Sequence, residues 1–236
     1  MTSGRLRRAT PAWLILPTRS AVPGGPAGKQ PVADDAPTVS PIDPPVGLEA
    51  NPWTTLASTP QYANPWIDVV EHRVLDPSGR PGIYGTVHFR NLALAIVPID
   101  AEGCTTLVGQ YRYPLGRYSW EVPEGGGARD VAPIESARRE LKEETGLEAG
   151  QWLEILRLDL SNSVTAFLAW DLRQGASEPD TTEALAVRRL PFAEALQLVW
   201  RGEITDALSV ASLLKIDAMA HAGALPGDVQ RLLAKR

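Results

Sequence analysis

The chain has 236 residues, a formal net charge of −5 at pH 7, 44% hydrophobic residues and 22% charged residues. These values are typical of an ordinary globular protein, and the length is sufficient for one domain with a substantial hydrophobic core. The sequence contains no run of about 18 apolar residues that could span a bilayer, and its negative charge argues against a surface built for nucleic acid. We therefore predict neither a membrane nor a nucleic acid as a partner.

Residues 1–48 contain nine of the 21 prolines, mixed with small and polar residues, and show neither helical nor strand periodicity. Such a segment cannot bury enough apolar surface to offset the entropy lost on ordering. We expect a disordered arm over residues 1–48 and a folded domain over residues 49–236; a true start further along the chain is the alternative. The apolar run 12–16 is too short for an export signal.

The folded region begins with β-rich runs separated by turn residues. The turns are Asp76-Pro77-Ser78-Gly79 and Asp100-Ala101-Glu102-Gly103, whose residue types favour reversals of the chain. The predicted strands are residues 66–75, 82–89, 92–99, 105–113 and 118–122.

A helix is predicted next, over residues 132–145. Pro133 suits the first helical turn and Gly146 suits the C-terminal cap. Further strands are predicted at residues 152–160, 164–172 and 186–190, followed by helices at 192–201 and 206–220. Strands interleaved with a few helices indicate an α/β or α+β sandwich.

The single cysteine, Cys104, cannot form an internal disulfide, and the sequence shows no Cys and His spacing typical of zinc. This pattern fits a reducing compartment, so we expect a cytoplasmic protein.

Three glutamates share one face of the helix predicted at 132–145. An α-helix advances about 100° per residue, so Glu140, Glu143 and Glu144 lie within one arc of about 100°. Like charges at this spacing repel one another and weaken a helix, and a cation between them would reverse that effect. Hard ions such as Mg²⁺ take oxygen ligands of this kind. The alternative is a solvated acidic face, which is what most Glu-rich helices present.

The residues before the helix extend this pattern. The stretch from Gly125 to Leu147 resembles the Nudix signature G-x5-E-x7-R-E-U-x-E-E-x-G-U, in which U is a bulky apolar residue. Only the first glutamate of the signature is missing, because that position holds Val131, with Asp130 beside it. The departure puts the tuning of the loop in doubt more than the activity. The matching residues are Gly125, Arg139, Glu140, Leu141, Glu143, Glu144, Gly146 and Leu147.

The resemblance continues outside the signature. The segments 108–112, 120–125 and 202–207 are similar to the ADP-ribose pyrophosphatase-like branch of the Nudix family. This resemblance implies a Nudix α/β/α sandwich with a mixed central sheet, plus N-terminal antiparallel strands. It also implies Mg²⁺-dependent hydrolysis, with Mn²⁺ as a possible substitute, of the diphosphate linkage in a nucleoside diphosphate sugar such as ADP-ribose. A homodimer with the first strands near the interface is expected on resemblance alone.

The resemblance also implies roles for individual residues. Glu140 and Glu144 would be the principal metal ligands, and Glu143 would bind another ion or act through water. The backbone carbonyl of Glu124 would complete the ligand set. Glu143 and Glu144 are therefore candidates for both metal binding and catalysis.

Arginine and loop residues add further candidates. Arg112 is the candidate phosphate contact, since a guanidinium group can bind phosphate oxygens in a bidentate manner. Glu121 is a candidate substrate contact, with a salt bridge at the strand end as the alternative. Arg139 is expected to hold the loop and helix together. Glu183 is the candidate base that activates water, ahead of the neighbouring Glu178 and Asp180.

Three other functions remain open at this point. One is a Nudix nucleoside triphosphatase or RNA-end pyrophosphohydrolase, against which the lead-in segments and the lack of a basic surface argue. Another is a non-catalytic module that senses a nucleotide ligand, which an eroded signature and an attached DNA-binding domain would favour, and we recognise neither in the sequence. The third is isomerase chemistry on an isoprenoid diphosphate, whose catalytic pattern we do not find.

Overall fold

The computed structural model describes residues 50–160, 162–175 and 185–234. The predictions for the arm at 1–48 and for Glu183, Glu178 and Asp180 lie outside these ranges. The boundary at residue 48 therefore stays a prediction. Within the described ranges, no helix is long and apolar enough to cross a membrane.

The first three strands form an antiparallel sheet, as predicted from the resemblance. Strand β1 (Thr54–Ala63) pairs with β2 (Ile67–Leu75), which pairs with β3 (Pro81–Phe89). The turn between β2 and β3 is closed by Asp76, whose side chain accepts hydrogen bonds from the Ser78 and Arg80 amides. Strand β1 was not predicted, because two shifts in its register break the alternation of side chains that identifies a strand.

Two further sheets build the rest of the domain. One has the order β7-β4-β9-β8 and is mixed, because β4 and β9 run parallel while the other pairs are antiparallel. The other has the order β10-β5-β6 and is antiparallel. The strands are β4 (Leu92–Pro98), β5 (Cys104–Arg112), β6 (Arg117–Glu121), β7 (Glu124–Gly127), β8 (Leu147–Asp159), β9 (Ser163–Gln174) and β10 (Ala186–Pro191).

The described residues contain four α-helices. They are α1 (Pro133–Thr145), α2 (Phe192–Trp200), α3 (Ala207–His221) and α4 (Gly227–Leu233). Helix α1 has Pro133 in its first turn and ends at Gly146, whose φ of 71° lies in the left-handed region that favours glycine. The short α4 was not predicted, since seven residues carry too little periodicity to identify a helix.

The mixed sheet is buried on both faces. Leu94 and Ile96 on β4 pack with Ala137 and Leu141 of α1. The alternate residues of β4 and β9 face a second core that includes residues from α2 and α3. This arrangement confirms the predicted sandwich with a mixed central sheet, and it fixes the polar side of α1 next to β7.

Candidate active site

The carboxylates of α1 lie beside its buried apolar residues. Because Ala137 and Leu141 anchor the helix to the sheet, Glu140 and Glu144 are drawn partly into the protein. Glu144 is buried, the Glu140 side chain is 12% exposed and the Glu143 side chain is 34% exposed. Burial raises the pKa of Glu140, although the neighbouring Arg139 lowers it in part.

Strand β7 presents its backbone to this acidic face. It is an edge strand, and the Ile96 amide of its neighbour β4 donates to the Pro123 carbonyl over 2.8 Å. Hydrogen-bonded and non-bonded pairs alternate in an antiparallel ladder, so the next residue, Glu124, directs its amide and carbonyl away from β4. The Glu124 amide accordingly donates to Glu144 Oε2 over 3.0 Å. The carbonyl of Glu124 therefore points toward the side on which the carboxylates lie.

Gly125 makes room for one of those carboxylates. A Cβ atom at this position would overlap the carboxyl group of Glu140. The next residue, Gly126, donates its amide to Glu140 Oε1 over 3.2 Å. A side chain at position 125 would therefore displace Glu140.

Arg139 lies among the glutamates and acts as their internal counter-ion. Its Nη1 is 2.6 Å from Glu143 Oε2 and its Nη2 is 2.6 Å from Glu140 Oε1. The same Nη2 donates to the carbonyl of Gly126 over 2.8 Å. These contacts join strand to helix and confirm the structural role predicted for Arg139.

A cavity of about 190 Å³ lies between α1 and β7. Within the described ranges, no three Asp, Glu, His or Cys side chains lie close enough together to hold a metal ion as they stand. The donor set nevertheless fits a hard cation, because it consists of oxygens only and Gly125 leaves space for one carboxylate. An ion would have to displace Arg139 from its two glutamates. The lining residues are Glu124, Gly125, Gly126, Arg139, Glu140, Glu143, Glu144 and Leu185.

Arg112 and Glu121 lie on neighbouring strands at the edge of this region. The guanidinium group of Arg112 binds Glu121 through both Nε and Nη2, and its Nη2 is 3.7 Å from Glu124 Oε2. The hydrogen bond with Glu121 raises the pKa of Arg112. The pair thus forms the salt bridge that the sequence left as the alternative for Glu121. Contact of either residue with a substrate stays a prediction.

A buried polar cluster at the start of α3 was missed by sequence reasoning. The Ser209 hydroxyl donates to Glu124 Oε1 over 3.1 Å, and Asp206 accepts from the Ser209 amide over 2.8 Å. Burial, reinforced by Asp206, raises the pKa of Glu124 well above its usual range. Burial opposes the ionisation of Asp206 as well, but hydrogen bonds from Glu124 and Ser209 outweigh it and lower the pKa of that carboxyl. No local pattern links residues 85 positions apart.

Two further sequence predictions concern the borders of the site. Glu183 lies outside the described residues, but Leu185, two positions later, lines the cavity. Val131, which replaces the signature glutamate, is exposed in a turn. The preceding Arg129 secures this turn by donating to the carbonyls of Phe89 and Arg90.

Comparisons with known proteins identify the class. The NUDIX domain matches residues 89–211, and the nucleoside diphosphate sugar hydrolase N-terminal domain matches residues 53–87. The first match covers more than half of the chain, so the chain belongs to the Nudix family and is a hydrolase that acts on pyrophosphate bonds. The second match, together with the relatives below, assigns it to the ADP-ribose pyrophosphatase-like branch.

The relatives agree with this assignment. An ADP-ribose pyrophosphatase of Mycobacterium tuberculosis is 39% identical over 57% of this chain and 69% of its own length. An ADP-ribose pyrophosphatase of Bacillus subtilis is 31% identical over 65% of this chain and 86% of its own. A crystal structure of an ADP compounds hydrolase has a TM-score of 0.65 at 23% identity, over 73% of this chain and 97% of that one. The structural match confirms the fold.

Proposed function

We propose that the protein hydrolyses the diphosphate linkage of a nucleoside diphosphate sugar, with ADP-ribose as the first candidate substrate. The observation that carries the proposal is the cavity in which the glutamates of α1 face the glycine-rich strand β7. Two relatives that are ADP-ribose pyrophosphatases support the choice of substrate. The products would be AMP and ribose 5-phosphate.

The residues around the cavity have distinct parts in this proposal. Glu140, Glu144 and the Glu124 carbonyl would hold Mg²⁺ or Mn²⁺, with Glu143 binding a second ion or acting through water. Bound divalent ions would polarise the phosphoryl oxygens and neutralise the leaving phosphate. Arg112 lies beside the site and would contact a phosphate through the part of its guanidinium group that does not bind Glu121.

Water activation is proposed for Glu183. The carboxylate would take a proton from water as the water oxygen bonds to one phosphorus and the bridging P–O bond breaks, leaving its electron pair on the departing phosphate. The position of Leu185 on the cavity wall supports this choice. Glu183→Gln should lower kcat far more than KM. If only Glu178→Gln or Asp180→Asn loses activity, the base is that neighbour of Glu183. If all three variants keep wild-type activity, Glu143 becomes the first candidate.

We also propose a homodimer formed through the N-terminal sheet. One face of this sheet carries Tyr62, Ile83, Val87 and Phe89, all exposed in a single chain. Exposed apolar side chains gathered on one face mark an interaction surface more often than scattered ones do. A cavity of about 670 Å³, lined in part by Arg73 and Ile83, opens on the same face. A second copy of the chain would cover these surfaces.

The proposed activity is tested with a panel of substrates. ADP-ribose, other nucleotide sugars, dinucleoside polyphosphates and nucleoside triphosphates are compared with Mg²⁺, with Mn²⁺ and with excess EDTA. Turnover of ADP-ribose with release of AMP, abolished by EDTA, is the expected result. Preference for a triphosphate, or full activity after the metal is removed, would contradict the proposal.

The cytoplasmic location continues to rest on the single cysteine, which is buried and free.

A further inference from the structure

Ser209 connects the C-terminal part of the domain to the strand that faces the acidic helix. It lies in the first turn of α3 and is completely buried. Its Oγ accepts a hydrogen bond from the Val122 amide over 2.9 Å and donates one to Glu124 Oε1 over 3.1 Å. One hydroxyl thus binds both ends of the short connection between β6 and β7.

The β6–β7 connection consists of Val122 and Pro123, with Glu124 at its end. It has few backbone donors that could hold it in place. Pro123 has no amide hydrogen, so the segment has only the amides of Val122 and Glu124 as backbone donors. The Glu124 amide donates to Glu144 on α1, and the Val122 amide donates to Ser209 on α3. The two amides of the connection are therefore bound by α1 and α3, while its Pro123 carbonyl accepts from Ile96 on β4.

Ser209 is itself held in place. Asp206 caps α3 by accepting a hydrogen bond from the Ser209 amide over 2.8 Å. The backbone of Ser209 is thereby fixed at a helix terminus, and its side chain is directed at the connection. Glu124 follows this connection directly. The position of its carbonyl therefore depends on the hydrogen bonds that Ser209 makes.

We propose that Ser209 is a positioning residue, which sets the position of the Glu124 carbonyl relative to the carboxylates of α1. The proposal rests on the proposed function, because it assigns that carbonyl to the metal site. In this proposal Ser209 contacts neither the substrate nor the ion. It acts through the Val122 amide, which would otherwise be a buried donor without a partner.

The chain provides a matched control in Ser212. This serine lies one helical turn further along α3 and is equally buried. Among the described residues, its Oγ has no hydrogen-bond partner. Ser209→Ala and Ser212→Ala therefore remove the same atom from the same environment, but only the first removes a link to the β6–β7 connection.

The first experiment follows hydrogen exchange in the metal-free, full-length protein. In Ser209→Ala, the amides of the β6–β7 connection should exchange about tenfold faster, since the buried Val122 amide loses its acceptor and Glu124 loses a donor. In Ser212→Ala they should exchange at the wild-type rate. If Ser209→Ala does not fold, Ser209→Cys, which keeps the shape of the side chain but has a slightly larger and weakly hydrogen-bonding thiol, takes its place with the same expectation.

The second experiment titrates Mn²⁺ into the same proteins by calorimetry and then measures kinetics with ADP-ribose. Ser209→Ala should bind Mn²⁺ roughly tenfold more weakly and lose kcat with a smaller change in KM. Ser212→Ala should match the wild type. Equal exchange, equal Mn²⁺ affinity and equal kcat in the two variants would overturn the role of Ser209.

The variant Glu144→Gln distinguishes a wrong positioning role for Ser209 from a wrong proposed function. If the wild type binds Mn²⁺, Glu144→Gln does not, and Ser209→Ala binds as well as the wild type, only the positioning role is wrong. If the wild type does not bind Mn²⁺, or Glu144→Gln binds it equally, the metal site itself is wrong and the role of Ser209 is overturned with it.

Discussion

Because Gly125 has no side chain, the Glu140 carboxylate has space in the cavity. An added Cβ would overlap the carboxyl group of Glu140, so Gly125→Ala should push that carboxylate out of the cavity. A Cβ at Gly126 would instead meet its nearest neighbour, Asn91 Nδ2, at 3.5 Å, an ordinary contact. We expect Gly125→Ala to lose at least about a hundredfold in kcat/KM, the scale for misplaced catalytic groups, and Gly126→Ala to lose much less. Comparable losses in both would show that Gly125 only shapes the strand.

Glu124 gives the metal-free protein a specific dependence on pH. Its pKa is raised by burial and by Asp206, so the folded protein prefers the neutral carboxyl group. That preference stabilises the fold below the ordinary value of 4.5 and is lost as the pH rises through the raised pKa. Glu124→Gln cannot ionise, yet its amide can still accept from Ser209 and donate to Asp206.

The stability of Glu124→Gln relative to wild type should therefore increase as the pH rises from about 4.5 through the raised pKa of Glu124. Urea denaturation in the presence of EDTA, repeated across this range, measures the difference in the free energy of unfolding. A difference that does not change with pH would contradict the assignment of the neutral form to the folded protein.

The sequence predicted the residues of this site that lie close together along the chain. Glu140, Glu143 and Glu144 could be grouped because a helix repeats every 3.6 residues, and the glycine at 125 was part of the same short pattern. The contacts of Glu124 with Asp206 and Ser209 could not be predicted, because they depend on how α3 docks against β6 and β7. The pairing of Arg112 with Glu121 was open for the same reason.

Among the elements, strongly periodic segments were predicted and weakly periodic ones were not. Helix α1 was located within one residue, because Pro133 and Gly146 mark its two ends. The sequence predicts a loop where β7 lies, since three glycines have low strand propensity. It becomes a strand through pairing with β4, where Leu94 lies opposite Gly125. Such pairing depends on the tertiary structure.

The N-terminal sheet is the element whose function is most open to test. Ile83 is 71% exposed on its apolar face, so Ile83→Lys should leave the fold of each chain intact. A buried charge at a dimer interface is costly, and we therefore expect Ile83→Lys to shift the protein from dimer to monomer. Sedimentation at micromolar concentration measures the change. Leu160→Lys replaces an exposed apolar side chain outside the sheet and should remain dimeric.

A wild-type protein that is monomeric under these conditions would contradict the proposed dimer. So would a dimer that Ile83→Lys leaves unchanged, since the interface would then lie elsewhere on the chain.

For the whole molecule, the proposed metal site links ion binding to stability. In the absence of metal, Glu140, Glu143 and Glu144 repel one another, and Arg139 compensates only part of this charge. An ion that binds the folded but not the unfolded chain adds about 2.7 kcal/mol at a hundredfold excess over its dissociation constant. For a domain of this size, that corresponds to an increase in Tm of about 5–10 °C.

We therefore expect Mg²⁺ or Mn²⁺ to raise the Tm of EDTA-treated protein, as measured by calorimetry, in a concentration-dependent manner. Glu144→Gln should remove most of the increase, because it deletes a charged ligand while keeping the volume of the side chain. Its metal-free Tm should stay close to that of the wild type, since the Gln side-chain oxygen can still accept from the Glu124 amide. An equal rise in Tm for both proteins would place the ion outside the α1 cavity. No rise at all, together with turnover in excess EDTA, would remove the metal from the proposed function.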